Sequence, residues 1–252
     1  MYPILFDLGF IKIYSYGVFV CIGIIAGYLV ARRQLKNTGV PEQTFSDIVF
    51  WSIVWGFFGA KLLYLIVEWR YAIRYPLDVI RSGFVFYGGL VSGVIAVFFL
   101  VKKYKVDFFK IGDLFALAMP LAHAFGRIGC FLNGCCYGVV TDAGHGLLFH
   151  PFSPAGMTHE YIFPLQLVSS AFLFVLFLFL YFLYTRKKTD GLTLVLYGML
   201  YGIFRFIIEF FRGDDRGGLF GLSTSQIVSI LVVLFAFVVL FYVVENKKND
   251  SL

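Results

Sequence analysis

FLFVLFLFLYFLY, residues 172–184, contains no charged side chain, and its apolar character does not alternate. A membrane β-strand shows a period of two, lipid-facing against lumen-facing, so this run is not one. It is apolar on every side, as a helix immersed in hydrocarbon is. Comparable runs lie at about 12–31, 45–67, 83–101, 112–132, 162–184, 190–212 and 223–244. Each approaches the roughly 20 residues that cross a bilayer core. Lipid offers the backbone no hydrogen-bond partner, so such spans must be helical. The expected architecture is all-α: a polytopic integral membrane protein of about seven transmembrane helices. It is read as a single transmembrane domain over 1–252 with an extracytoplasmic loop segment at about 133–161.

Composition agrees. The 252 residues are 60% hydrophobic and 14% charged, with 32 Phe and 16 Tyr, against about 45–50% and about 25% in ordinary soluble domains. A water-soluble domain and a disordered chain are both excluded, and four cysteines are too few for a disulfide scaffold. The net charge of +6 follows topology and not a patch. Arg32, Arg33, Lys36, Lys102, Lys103, Lys105, Lys110, Arg186–Lys188, Lys247 and Lys248 fall on one side of the spans. Lys12, Arg70, Arg74, Arg81, Arg212 and Arg216 fall on the other. The richer side is expected to be cytoplasmic, which puts the N-terminus outside and the C-terminus inside. Nucleic acid is not an expected partner. Residues 1–12 carry Asp7 and no basic n-region, so the first span is expected to stay in the mature protein.

Lys61, Arg127 and Arg205 lie within the spans. Each costs about 2.5–3.5 kcal/mol at a helix centre and needs a partner or a purpose. In the sixth span Tyr197, Tyr201, Arg205, Glu209 and Arg212 recur every three or four residues, which places them on one helical stripe. The stripe reads either as the wall of a polar cavity or as an Arg205–Glu209 pair that neutralises itself and holds helices in register. A second arginine at similar depth favours the cavity. It stands in GRIGCFLNGCCYG at 126–138, at the outer end of the fourth span, with Gly126, Asn133 and Gly138 around it. Guanidinium groups bind phosphate bidentately, so two near one leaflet suggest a phospholipid headgroup. Tyr87-Gly88-Gly89 and Tyr16-Gly17 lie near the same surface; each tyrosine is either a site residue or an interfacial anchor.

Cys130, Cys135 and Cys136 with His123 raise metal or redox chemistry. The spacing lacks the paired CxxC pattern of zinc sites, and adjacent cysteines make a strained disulfide. No metal and no cofactor are expected; small-residue packing, or a disulfide from Cys130 to the loop, accounts for these positions. Val139–Tyr161 lacks Lys and Arg and contains Gly144, Gly146, Pro151, Pro154 and Gly156. These disfavour a long helix, so a partly ordered lid is expected there.

The segment GRIGCFLNGCCYG resembles the signature of the bacterial prolipoprotein diacylglyceryl transferases, in a cysteine-rich variant. YSYG at 14–17, GAK at 59–61, FYGG at 86–89, PLQL at 164–167, YGIFRFIIEFFR at 201–212 and LSTSQI at 222–227 extend the resemblance over nearly the whole chain. It implies an enzyme of the bacterial cytoplasmic (inner) membrane. Such an enzyme moves the diacylglyceryl group of phosphatidylglycerol to the lipobox cysteine of a prolipoprotein and releases glycerol phosphate. Its partners would be that lipid, that precursor and the surrounding membrane. Carried onto this sequence, Arg127 and Arg205 hold the phosphate and Glu209 orients Arg205. Tyr16, Gly126, Asn133, Gly138 and Tyr201 shape the headgroup pocket, with Gln166 behind them, and Lys61 stands where the family often has arginine.

The acceptor thiol needs a base, and many family members carry histidine where this chain has Tyr87. Phe163, Ser169, Cys130 and Cys135 also replace residues common in the family. His123, one turn before Arg127 on the same face, is a replacement base or a neutral histidine in a helix contact. Two other readings stay open: a relative using the same donor with another extracytoplasmic acceptor, and a lipid-handling transporter.

Overall fold

A computed structural model describes residues 2–9, 12–81, 83–186, 189–214, 218–219 and 221–249. Lys187, Lys188 and Arg216 lie outside the described residues. Among the described residues seven helices are long and apolar enough to cross a membrane: α1 (Ser15–Leu35), α2 (Glu42–Val67), α5 (Phe86–Tyr104), α6 (Phe108–Asn133), α7 (Leu165–Arg186), α8 (Leu192–Ile208) and α9 (Thr224–Asn249). The expected all-α, multi-pass architecture is what is found. Side chains such as Val175, Leu178, Phe235 and Val238 are exposed, which suits a surface facing acyl chains.

The differences from the expected spans have local causes. The first helix starts at Ser15 because Ile4–Asp7 (β1) and Lys12–Tyr14 (β2) pair as an antiparallel hairpin, with Asp7 opposite Lys12. The connection between the second and third spans is not a plain loop: it holds α3 (Trp69–Arg74) and α4 (Pro76–Arg81). Pro76 opens α4, where its missing N–H costs nothing. The sixth span tightens into a 3₁₀ turn at Glu209–Phe211 and ends there. A second short pair, β3 (Gly218–Leu219) and β4 (Leu222–Ser223), precedes α9.

The chain divides into two compact units, Gln34–Ile111 and Met1–Arg33 with Gly112–Leu252. In the first, α2 and α5 pack through small residues: a Cβ on Gly59 would overlap Ser92, and one on Gly88 would overlap the Gly59 backbone. Without a hydrophobic drive between helices in lipid, such close approach supplies the contact energy. Ser92 adds a hydrogen bond to the Trp55 carbonyl at 2.8 Å. Lys61 donates to the Val79 carbonyl and, at 3.4 Å, to that of Gly83, so its charge is met within the same unit.

In the other unit α1 lies against α6 at Gly23, where a Cβ would come within 2.7 Å of the Ala122 carbonyl. Ser170 of α7 donates to the Ala124 carbonyl of α6 at 3.0 Å. Asp113 of α6 is fully buried and accepts from the Gly191 and Leu194 amides at 2.7 and 2.8 Å. A carboxylate from another helix thus caps the start of α8, satisfying amides that have no partner of their own and matching the positive end of the helix dipole. These contacts set the height of Arg127 on α6 against Arg205 on α8.

Candidate active site

The site lies in this second unit, at the ends of α6 and α8 remote from Lys110 and Arg186. Helical spacing carries Tyr197, Tyr201 and Arg205 along one face of α8, and the rings of Tyr197 and Tyr201 stack at 5.5 Å. Arg205 pairs directly with Glu209, one turn on. Arg205 Nη2 also donates to Ser225 Oγ at 2.8 Å, while Ser223 donates to Glu209 Oε1 at 3.0 Å. The LSTSQI segment therefore clamps both partners from outside the helix.

The stripe does not continue to Arg212 as α-helix. After the 3₁₀ turn Arg212 is extended, at φ −84° and ψ 141°, and its backbone bridges antiparallel to Gly138. Its side chain is 4% exposed and grips Asp214 bidentately at 2.8 and 2.7 Å, with Glu209 at 3.9 Å. Burial opposes the Arg212 charge, yet the hydrogen bonds it donates to Asp214, together with Cys136, raise its pKa above the ordinary value.

Arg127, Tyr201, Arg205, Arg212 and Cys136 line one cleft, whose other wall is Leu165, Ser169, Leu173, Phe204 and Ile208. Its empty space, open mouth included, is about 300 Å³. Glu209 answers Arg205 and Asp214 answers Arg212, whereas no carboxylate pairs with Arg127 among the described residues. The cleft thus carries one uncompensated positive charge beside an apolar wall, the complement of an anionic headgroup with its chains attached.

Arg127, Arg205 and Tyr201, expected together, are together, with Glu209 behind them. Tyr16 packs its backbone on Gly129, where a Cβ would lie 3.2 Å from the Tyr16 Cα, and it is within electrostatic reach of Arg127. A Cβ on Gly126 would meet nothing within 4 Å. Asn133 ends α6 and its side chain hydrogen-bonds Cys135. Gly138 donates to the Phe163 carbonyl at 3.1 Å, which a Cβ on Gly138 would approach to 2.7 Å. Gln166 is fully buried: its Nε2 donates to the Cys135 carbonyl at 2.9 Å, and its Oε1 has no partner. It supports the cysteine turn and does not line the cleft.

His123 is also off the cleft wall. Its Nδ1 lies 3.3 Å from the Tyr197 hydroxyl and its ring 5.5 Å from that of Tyr201. Tyr87 and Lys61 belong to the other unit, where Tyr87 sets its ring 5.7 Å from Phe86. Cys136 and Ser169 are cleft residues that the sequence reading did not assign to the site, and Arg212 entered it only as the last member of the stripe. The spacing of Arg212 from Glu209 and the serines of LSTSQI were the available signals.

The 139–161 segment folds into an ordered cap. Val140 and Leu147 both bridge to Ile162, Ala155 donates to the Gly134 carbonyl at 2.9 Å, and Phe149, Ala155 and Ile162 form a small core against Phe131 and Tyr137. Only a 3₁₀ turn, Gly156–Thr158, is helical in it, as its glycines and prolines led one to expect.

Fold and cleft together define a multi-pass membrane protein with a cationic site sunk at one end of its helices. A family model described as prolipoprotein diacylglyceryl transferase matches residues 3–242. The phosphatidylglycerol–prolipoprotein diacylglyceryl transferase of Clostridium tetani is 39% identical over 238 residues, covering 93% of this chain and 94% of that protein. A second enzyme of that name, numbered 2, from Clostridium perfringens is 35% identical over 95% of this chain and 93% of its own. That of Staphylococcus aureus is 32% identical over 95% and 88%. The chain belongs to the prolipoprotein diacylglyceryl transferase family.

Proposed function

We propose that this protein transfers the diacylglyceryl group of phosphatidylglycerol to the lipobox cysteine thiol of a prolipoprotein, releasing glycerol phosphate. The observation that carries the reading is the cleft in which Arg127, unmatched by a carboxylate, stands with Tyr201 and the anchored Arg205 and Arg212 beside an apolar wall. The acceptor sulfur attacks the glyceryl carbon, the carbon–oxygen bond to phosphate breaks, and the electron pair leaves on the phosphate oxygen. A diester with one negative charge becomes a monoester with two, so fixed guanidinium groups favour the transition state over the bound lipid. Glu209 and Asp214 hold two of them in place, and Leu165, Leu173, Phe204 and Ile208 receive the start of the acyl chains.

Tyr16, Asn133, Gly138 and Gln166 shape this pocket through the end of α6 and the turn that follows. His123 supports Tyr201 from behind. The protein works in the bacterial cytoplasmic membrane with its N-terminus and the 139–161 cap outside, where secreted precursors emerge.

Purified protein in phosphatidylglycerol vesicles with a synthetic lipobox peptide tests this. A diacylglyceryl thioether seen by mass spectrometry, with released glycerol phosphate, both lost in Arg127→Ala, is the expected result. Glycerol phosphate without peptide modification would assign another acceptor, and neither product from folded protein would sink the reading.

A further inference from the structure

Cys130, Cys135 and Cys136 are spaced unlike a zinc motif, but the turn after α6 gathers them. The Cys135 amide bonds the Cys130 carbonyl at 3.1 Å and the Gly134 amide that of Phe131 at 3.2 Å, with Gly134 at φ +71°. This pair of bonds is a Schellman turn, and it returns the chain over the helix's last turn. Cys136 then adopts φ +57°, unusual for a residue with a Cβ. The result is three sulfur atoms all within 4.8 Å of one another. Cys130 is 7% exposed, and Cys136 is the member that lines the cleft.

We propose that Cys130, Cys135 and Cys136 form a three-thiolate site for a soft divalent d¹⁰ cation of the zinc class, with its fourth position open to the cleft. Zinc–sulfur bonds of about 2.3 Å put tetrahedral sulfurs roughly 3.8 Å apart, which lies inside the 4.8 Å that bounds this triangle. The donor set is all sulfur, which selects soft or borderline ions and rejects magnesium and calcium. Three thiolates around a divalent ion leave one net negative charge, and the guanidinium groups of Arg127 and Arg212 line the same cleft as Cys136. Three protein ligands with an open position is the arrangement of a zinc ion that takes up a further ligand.

The ligand class that position favours is a thiolate. Here the inference rests on the transferase reading: the lipobox thiol coordinates, its proton passes to water, and the bound sulfur forms the carbon–sulfur bond as phosphate leaves. The metal changes no oxidation state, and no basic side chain at position 87 is needed.

Metal-stripped protein is titrated with cadmium and, separately, cobalt, following sulfur-to-metal charge-transfer absorption, with Cys21→Ser as the retained-thiol control. One equivalent giving the band in wild type and Cys21→Ser, and loss of the band in Cys135→Ser and Cys136→Ser of unchanged circular dichroism, is expected. No band in folded wild type, or a band that survives both variants, overturns the site. A lipobox peptide is expected to shift the cobalt visible bands where its serine analogue does not; an unshifted spectrum overturns the open position. Binding without lipid transfer would sink the transferase reading alone, and full transfer by protein that binds no cadmium would sink the metal site alone.

Discussion

Arg205 and Glu209, one turn apart at the end of α8, form a direct ion pair with side chains 12% and 6% exposed. Arg212 lies 3.9 Å from the same carboxylate. Glu209 therefore faces two cleft arginines, but Arg212 keeps Asp214 and only Arg205 loses its carboxylate when Glu209 is removed. Breaking a buried pair from one side costs about 3–5 kcal/mol. Glu209→Gln is expected to lower the thermal midpoint in detergent clearly and to abolish transfer. A variant with unchanged midpoint would mean that the pair is solvated.

Arg127 contrasts with it. Lacking a carboxylate partner among the described residues, it can be removed without leaving a carboxylate unmatched. Arg127→Ala is expected to keep the wild-type thermal midpoint while turnover falls about 10²–10³-fold, the loss seen when one transition-state donor is deleted. Arg127→Lys keeps the charge but not the fork and falls between. The check is turnover against phosphatidylglycerol concentration: a defect confined to KM would make Arg127 a binding residue only.

Asp113 is expected to govern stability and not chemistry. It caps α8 from within α6, far along the helix from Arg127. Asp113→Ala leaves two buried amides without their acceptor, at about 1–3 kcal/mol each, and a lowered midpoint in a denaturation series measures it. Asp113→Asn keeps one acceptor oxygen and is expected to recover part of the loss.

How much of this was legible from residues alone follows from what sets each feature. The spans were, because uninterrupted apolar runs such as 172–184 admit one structure in lipid. The meeting of Arg127 and Arg205 was, because buried charge is costly enough to demand a purpose. The place of Arg212 was not: α-helical spacing put it on the stripe, but the 3₁₀ turn and the bridge to Gly138 are tertiary events. The cysteine triangle was hidden for the same kind of reason. Its sulfurs converge through a left-handed glycine and a left-handed cysteine, neither visible as a metal spacing. Gln166, expected behind the pocket, spends its amide on the Cys135 carbonyl.

His123 remains the sharpest test of how the acceptor loses its proton. Its ring is engaged by Tyr197 at 3.3 Å and lies against Tyr201, behind the cleft wall. A group so placed steadies Tyr201 and is not within reach of a thiol in the cleft, so His123→Gln, which can still bond Tyr197, is expected to retain turnover within about tenfold. A general base contributes about 10²–10⁴-fold. A loss of that size, in a variant with a normal midpoint and with the acid limb of the pH profile removed, would restore His123 as the base. Tyr197→Phe separates the two roles further, since it removes the hydroxyl that holds the imidazole while leaving the ring stacked on Tyr201. Under the supporting role both variants shift turnover by similar, small factors; under the base role only the histidine variant collapses.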